Sequence, residues 1–257
     1  MVKPDEQQAL REKIQQVKQM HHDGTHEKGF HNLLTGGYLR DFVYGANDGI
    51  ITTFAVVAGV AGADLSSAVV LIMGVANLLA DGFSMSSGNY LSEKSNHDYI
   101  DSELKKEEWE IEHLPDEEQR EVRELYQRKG LTGQTLEQAV SAITSNKKLW
   151  AREMLVGELG LFPSEEATSP LATATVTFMA FVSAGTVPLL PYIFKLPYYP
   201  SFTWAIIFTG LVLFVVGSLR SLLTNKRWWL SGLEMLTIGA VAAGVAYAVG
   251  VFLGHLA

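Results

Sequence analysis

The dominant feature of the sequence is a set of five apolar stretches separated by polar or turn-forming residues. They cover roughly residues 40–62, 65–92, 170–194, 201–222 and 228–254. Each is close to the length of about 20 predominantly apolar residues that an α-helix needs to cross a bilayer. The pattern therefore predicts an all-α, polytopic membrane protein with five transmembrane helices.

A long polar insert separates the second apolar stretch from the third. Its sequence predicts three helices, over residues 93–113, 115–130 and 135–160. Pro115 is a favourable helix start and Gly130 a favourable helix end, and the Thr-Leu-Glu-Gln sequence from Thr135 matches a capping box. We expect the first of these helices to continue the second membrane helix, and the third to contain a break near Asn146.

These patterns divide the chain into four regions. The regions are a polar, His-containing N-terminal tail (1–37), transmembrane helices 1 and 2 (38–92), an acidic helical domain (93–166) and transmembrane helices 3 to 5 (167–257). Two interpretations of the tail stay open, a collector of divalent metal ions through its imidazoles or a solvated segment without a ligand. Its histidines are His21, His22, His26 and His31. The tail has neither a signal-peptide nor a transit-peptide pattern, so we expect the first apolar helix to direct membrane insertion.

The charge of the chain is concentrated in the insert. Residues 93–166 hold 18 acidic and 10 basic residues, so the whole formal charge of −8 lies there. This acidity argues against nucleic acid as a partner, because phosphate contacts need clustered Lys and Arg, and it favours cations. The chain has no Cys, which excludes disulfides and thiolate metal sites.

Basic residues near the ends of the apolar segments predict the orientation in the membrane. The connection between segments one and two has no basic residue, and the connection between segments three and four has only Lys195. The other side carries Arg40, Lys94, the basic residues of the insert, Arg220, Lys226 and Arg227. We therefore expect the N-terminus and the acidic insert to be cytoplasmic, with the C-terminus on the opposite side.

Two residue patterns inside the membrane segments predict local geometry. Gly45 and Gly49 form a small face at which helices can approach closely, which predicts a contact between the first helices of two chains and hence a homodimer. Pro188 and Pro191 predict a kink near the outer end of the third segment, because proline removes a backbone donor.

Polar side chains, Asn47 among them, interrupt the first two apolar segments, and five polar or sulfur-containing residues there are candidates for a path: Asp41, Asp48, Asn77, Asp81 and Met85. The last three are four residues apart and share one helix face, and the two on the first segment, seven apart, share another. Ionisable residues inside a membrane segment normally face a bundle interior or a water-filled path. We therefore predict that these residues line a cation translocation path. An interfacial charge beside the preceding arginine is the alternative for Asp41.

The insert contains carboxylates at helical spacing. The candidate metal ligands are Glu107, Glu110, Glu118, Glu121, Met154 and Glu158. Carboxylates three residues apart repel each other on one helix face, and a divalent cation bound between them relieves the repulsion. Carboxylates with a thioether suit a first-row ion such as Fe²⁺ or Mn²⁺. The alternative is a solvated acidic helix with ion pairs to Lys105, Lys106 and Arg120.

A rival interpretation is a di-iron carboxylate enzyme. Glu110 and His113 form a Glu-x-x-His pair, the ligand pattern of ferritin-like di-iron sites. Such sites need two of these pairs and two further glutamates, and this chain has only one pair. We therefore do not expect an enzyme.

Five ordered motifs extend over most of the chain from Tyr38 onwards: RDFVYGANDGI, DGFSMSSGNYLSEKS, PDEEQREV, REMLVGELGL and VPLLPY. Their order and spacing resemble those of the vacuolar iron transporter family, Fe²⁺ and Mn²⁺ transporters of plants, fungi, bacteria and archaea. The resemblance implies a homodimer with five membrane helices per subunit. It also implies export of cytosolic Fe²⁺, often with Mn²⁺ as a second substrate, in exchange for protons.

The resemblance implies roles for individual residues as well. It assigns Asp48 and Met85 to the translocation path near the dimer axis, and the six candidate ligands of the insert to a metal-binding domain. Asn77 stands where plant members have a glutamate, a departure that bears on proton coupling. Leu155 follows Met154 where plant members have a second methionine, which bears on metal selectivity.

The resulting prediction is a divalent-metal transporter that moves Fe²⁺, and also Mn²⁺, out of the cytoplasm, with no cofactor beyond the transported ion. A membrane-anchored metal buffer or sensor is the alternative from another class. The absence of a transit-peptide pattern favours the plasma membrane of a bacterium or archaeon, with a vacuolar membrane as the alternative.

Overall fold

The structure is a computed structural model that describes residues 37–163, 168–222 and 226–256. It also describes five helical residues nearer the N-terminus, namely Arg11, Ile14, Gln15, Lys18 and Gln19. Every regular element within these residues is a helix, which confirms the all-α prediction. The four histidines of the N-terminal tail lie outside the described residues.

From residue 37 onwards, the described chain forms nine α-helices and two short 3₁₀ turns. The helices are α1 (Gly37–Gly62), α2 (Ser67–His113), α3 (Pro115–Arg128), α4 (Gly133–Thr144), α5 (Lys147–Gly157), α6 (Pro170–Gly185), α7 (Leu190–Phe194), α8 (Ser201–Leu219) and α9 (Trp228–Gly254). The 3₁₀ turns are Val187–Leu189 and Arg220–Leu222.

Five of the described helical stretches are long and apolar enough to cross a membrane. They are Tyr38–Gly62, the apolar part of Ser67–His113, Pro170–Phe194, Ser201–Leu219 and Trp228–Gly254. The first two are joined by a turn in which Asp64 adopts a left-handed conformation with φ of 53°. The prediction of five transmembrane helices is confirmed in number and in position.

The chain divides into two compact units, residues 1–89 with 171–257, and residues 90–170. Helix α2 supplies residues to both. In the first unit, α1 packs against α8 and α9, which also pack against each other. Ile50, Val57 and Phe181 are fully buried in this unit, so much of α1 lies in the interior of its own bundle.

The glycine face of α1 is occupied by the same chain. A Cβ atom on Gly45 would meet the backbone carbonyl oxygen of Thr177, and one on Gly49 would meet that of Phe181, both on α6. These two glycines therefore bring α1 against α6, and the sequence-based inference that they join the first helices of two chains is wrong. The physical principle, close approach at small residues, is the same.

The predicted kink in the third membrane segment is present as a break. Helix α6 ends at Gly185, and the following 3₁₀ turn contains Pro188. Pro191 then lies in the first turn of α7, a position where a missing N–H leaves no hydrogen bond unmade.

The second unit is built from the polar end of α2 together with α3, α4 and α5. Its core contains Ile111, Val122, Leu136, Val140, Ile143, Trp150, Ala151 and Met154. The expected break at Asn146 is confirmed, because its side chain caps α5 by accepting from the amides of Lys148 and Leu149 at 3.1 and 3.2 Å.

The predicted capping box at Thr135 is wrong. Helix α4 begins two residues earlier, at Gly133, with Thr132 as its N-cap residue. Glu137, which lies within the proposed box, accepts hydrogen bonds from Arg123 of α3 at 2.9 and 3.0 Å. Glu137 therefore forms an ion pair between α3 and α4 and does not belong to a local cap.

Candidate metal centre and membrane path

Three carboxylates converge where α2 ends and α3 begins. One oxygen from each of Glu107, Glu110 and Glu118 lies within 4.8 Å of the others. Only Leu114 separates the two helices, and its amide bonds to the carbonyl of Glu110 at 2.7 Å while its own carbonyl accepts from Glu118 at 3.1 Å. This one-residue connection turns the first turn of α3 back onto the last turns of α2.

Two of these carboxylates are buried and carry a high proton affinity. Glu107 is 4% exposed and Glu118 is 5% exposed. Burial raises the pKa of Glu107 to about 7, with further contributions from the charges of Glu158 and Glu110. Burial likewise raises the pKa of Glu118 to about 7, together with the charges of Glu107 and Glu121. Each ionised form lacks solvation and faces like charges.

Helix α5 adds a thioether and a further carboxyl to this region. Met154 is 1% exposed, and Glu158, just after the helix, shares a hydrogen bond with Glu121 of α3. Burial and then the charge of Glu121 raise the pKa of Glu158. A cavity of about 170 Å³ is lined by Glu121, Met154 and Glu158, together with Arg120 and others. The structure thus groups Glu107, Glu110 and Glu118, and it places Glu121, Met154 and Glu158 around one cavity. The charges of Glu121 and Glu158 act on Glu107 and Glu118.

The alternative of a solvated acidic helix does not fit the two buried carboxylates. Arg120 forms ion pairs with Glu117 and Glu124 at 2.9 and 2.6 Å, on an exposed side of α3. The Oε2 atoms of Glu107 and Glu118 are buried, and neither has a hydrogen-bond partner among the described residues. A buried carboxylate is unfavourable unless it is protonated, paired or bound to a cation. The arrangement can therefore hold either protons or a divalent cation.

The di-iron interpretation requires His113 to lie beside these carboxylates, and it does not. Its ring stacks on Trp109 with centroids 4.3 Å apart, and its Nδ1 lies 2.8 Å from the Trp109 carbonyl oxygen. The carboxylate group consists of Glu107, Glu110 and Glu118 without this imidazole. The structure therefore does not bring Glu110 and His113 into one ligand group.

In the first unit, the predicted membrane residues lie on α1 and α2. Asp48, Asn77, Asp81 and Met85 are half-buried, and Asp48 lies within electrostatic range of Asp81. The Nδ2 atom of Asn77 is buried and has no hydrogen-bond partner among the described residues. Polar groups of two membrane helices therefore converge inside this unit, which is costly unless they serve a ligand or one another.

Asp41 is buried in a polar network that the sequence reasoning missed. It is 3% exposed, and its Oδ1 atom lies 3.5 Å from the Nδ2 of Asn89 and 3.9 Å from the Nη2 of Arg40. Asn89 also donates to the hydroxyl of Thr177 at 2.8 Å. The signal for Asn89 was present, because it continues the four-residue spacing of Asn77, Asp81 and Met85 along the same helix face.

Taken together, these features define a multi-pass α-helical membrane protein that has carboxylates within its membrane helices and an acidic helical unit between the second and third. A family profile described as the VIT family matches residues 39–251. The chain belongs to this family.

Named relatives agree with this assignment. The chain is 34% identical to the vacuolar iron transporter of Toxoplasma gondii, over 88% of this chain and 78% of that protein. It is 33% identical to vacuolar iron transporter 2 of Oryza sativa subsp. japonica, over 84% and 87%. It is 32% identical to vacuolar iron transporter 1 of Arabidopsis thaliana, over 98% and 99%. These relatives are named transporters, which agrees with the prediction that the chain is not an enzyme.

Proposed function

We propose that the chain is a transporter of Fe²⁺, with Mn²⁺ as a second substrate, that moves the ion out of the cytoplasm in exchange for protons. The observation that carries the proposal is the group of carboxylates around Glu107 and Glu118, two of them buried and with oxygens that lack a hydrogen-bond partner among the described residues. The names of the relatives support iron as the ion.

The acidic unit supplies the first step of the proposed mechanism. Its net charge of −8 attracts cations and raises their local concentration. The carboxylates, with the thioether of Met154, then replace part of the hydration shell of the ion. Carboxylate oxygens with one sulfur ligand suit Fe²⁺ and Mn²⁺ better than Mg²⁺ or Ca²⁺.

The membrane residues supply transfer and release. The ion passes to Asp48, Asp81 and Met85, where carboxylate and thioether groups compensate for lost water. Protons entering from the far side compete with the metal for the same carboxylates, because a metal ligand must be deprotonated. This competition releases the ion and couples the two fluxes in opposite directions.

The assembly and its setting are part of the proposal. The resemblance to the family supports a homodimer, with the path near the axis between the two chains. The distribution of basic residues supports a cytoplasmic N-terminus and acidic unit. The plasma membrane of a bacterium or archaeon and the vacuolar membrane both fit this orientation, since in each the ion leaves the cytoplasm.

The test is metal uptake into liposomes that contain the purified chain, with and without an imposed pH gradient. Asp48→Asn removes a membrane carboxylate at nearly constant volume, and we expect it to reduce uptake to the rate of empty liposomes. Asp64→Asn is the matched control. Asp64 is exposed in a turn, and asparagine also tolerates the left-handed backbone conformation of this position.

Two outcomes would contradict parts of this proposal. Uptake that is the same after the pH gradient is collapsed would rule out proton exchange. Metal binding by the protein without uptake above that of empty liposomes would favour the membrane-anchored buffer or sensor.

A further inference from the structure

A separate cavity in the first unit carries two arginines and is not explained by metal transport. It has a volume of about 350 Å³ and is lined by Arg40, Tyr44, Asn47, Arg220 and Ile238, among others. Unlike the cavity beside Glu121 and Glu158, this one has no carboxylate among the described residues that line it. Its two guanidinium groups repel a divalent cation without a compensating negative charge in the lining, so it is not suited to the proposed metal ion. Its lining is suited instead to an anionic group.

The cavity lies where three membrane helices have their ends. Arg40 is near the start of α1, and Arg220 follows the last residue of α8. Helix α9 begins at Trp228, after the basic residues Lys226 and Arg227. Tryptophan and basic residues are typical of the boundary between the hydrocarbon core and the headgroups. The two guanidinium groups are thus at headgroup depth.

Beside the two arginines, the cavity has both polar and apolar walls, with Tyr44 and Asn47 among the polar residues. Val43, Met235 and Ile238 line it, and Ile238 is 54% exposed in the chain. A cavity with two basic groups and apolar side chains beside them matches the headgroup and the first methylene groups of a lipid. Basic pockets between membrane helices are a recurring form of anionic-lipid site.

Both arginines have acidic neighbours. Arg220 lies 3.4 Å from Glu234, and Arg40 lies 3.9 Å from Asp41. A guanidinium carries five N–H donors, so one carboxylate contact is compatible with a second anion. Arginine also matches a phosphodiester with two parallel hydrogen bonds.

We propose that this cavity binds the phosphodiester headgroup of an anionic phospholipid between Arg40 and Arg220, with an acyl chain along Val43, Met235 and Ile238. The inference does not depend on the proposed transport function. It predicts that the chain distinguishes lipids by headgroup charge at one defined position on its surface.

The experiment is a titration of the detergent-purified chain with phosphatidylglycerol and with phosphatidylcholine of the same acyl chains, followed by native mass spectrometry. We expect tighter binding of phosphatidylglycerol. Arg40→Gln with Arg220→Gln should weaken it by about thirtyfold, since each basic residue near an anionic headgroup contributes about 1 kcal/mol. Lys226→Gln with Arg227→Gln removes the same charge on the same side and should weaken it by less than about threefold.

A second variant tests the site independently, in case the double arginine variant does not fold. Ile238→Trp fills the apolar wall without changing charge, and it should also weaken phosphatidylglycerol binding. Equal losses in both double variants would show general surface attraction and would overturn the proposal. Displacement of the lipid by millimolar inorganic phosphate would also overturn it, because the site would then be one for a free anion.

Besides a phospholipid or a free anion, a second copy of the chain could cover the cavity. Because the chain has no Cys, Ile238→Cys introduces a single thiol at the cavity. Efficient cross-linking of two chains through this thiol in liposomes would show that a protein surface covers the cavity, and the lipid site would be wrong. We expect labelling of this thiol by a lipid-soluble maleimide instead.

Discussion

Glu107 and Glu118 are buried acidic residues. Because burial disfavours their ionised forms, the stability of the chain depends on pH. The pKa of each is about 7 in the folded chain, against an ordinary value of 4.5. Between these values the folded chain holds protons that the unfolded chain has released, so the free energy of unfolding falls as pH rises. Without metal, we expect the melting temperature to decrease between about pH 5 and pH 8. Glu107→Gln with Glu118→Gln should flatten this dependence and raise the melting temperature at the alkaline end.

The same two residues should control metal binding. Metal ligands must be deprotonated, so the affinity for Mn²⁺ should fall as pH decreases through about 7. In Glu107→Gln with Glu118→Gln, the Mn²⁺ affinity measured by calorimetry should be weaker by more than about tenfold. Loss of a group that only supports a metal ligand already costs about tenfold or more. Glu117→Gln is the control, because this neighbour of Glu118 is exposed and paired with Arg120. Equal weakening in the control would mean that only overall charge matters.

The sequence could predict the part of the acidic cluster that lies on α2 and α3, Glu107, Glu110, Glu118 and Glu121, because its geometry is local. The i,i+3 spacing sets the side chains on each helix, and Pro115 fixes the turn between α2 and α3. The sequence could not show which oxygens are buried, since that depends on packing across helices. Asn89 continues the four-residue spacing of Asn77, Asp81 and Met85, but the spacing alone could not identify its partners, Asp41 and Thr177.

At the scale of elements, Gly49 tests which helix lies against α1. A Cβ atom there would collide with the backbone of Phe181, so Gly49→Ala should destabilise the chain by about 1–3 kcal/mol through overpacking. Gly88→Ala is the matched control. Among the described residues, no atom beyond its own helix backbone lies within 4 Å of a Cβ there, and alanine in a helix gains about 0.5–1 kcal/mol over glycine.

Thermal unfolding in detergent measures both variants. If Gly49→Ala were neutral for stability but shifted the chain to monomers, the glycine face would bind a second chain, as the sequence first suggested. We expect the opposite, a loss of stability without a change in oligomeric state.

The helices themselves were predictable because membrane segments follow one strong rule, length of apolar sequence. Errors arose where a tertiary contact decided between local options. The small face of α1 fits any close helix, and only the fold shows that α6 occupies it. The start of α4 was misplaced because the cap signal at Thr135 is weak, and Glu137 pairs with Arg123.

At the scale of the whole molecule, charge and apolar surface are segregated along the chain. Residues 93–166 contain the entire net charge, and the membrane segments lie on either side of them. Residues 90–170 form a compact unit, and among the described residues its core cluster, from Ile111 to Met154, is made of side chains from this unit. A unit with its own core and a charged surface has the properties of an independently folding domain.

We therefore expect a fragment of residues 90–170 to be soluble, helical by circular dichroism and cooperative in thermal unfolding. Mn²⁺ at a hundred times its Kd should stabilise it by about 2.7 kcal/mol, which raises the melting temperature of a domain this small by about 10 °C or more. The same fragment with Glu107→Gln and Glu118→Gln should fold and lose this shift. A fragment that unfolds without a cooperative transition would contradict the independence of the unit. Retention of the full shift in the variant would instead place the metal away from the buried carboxylates.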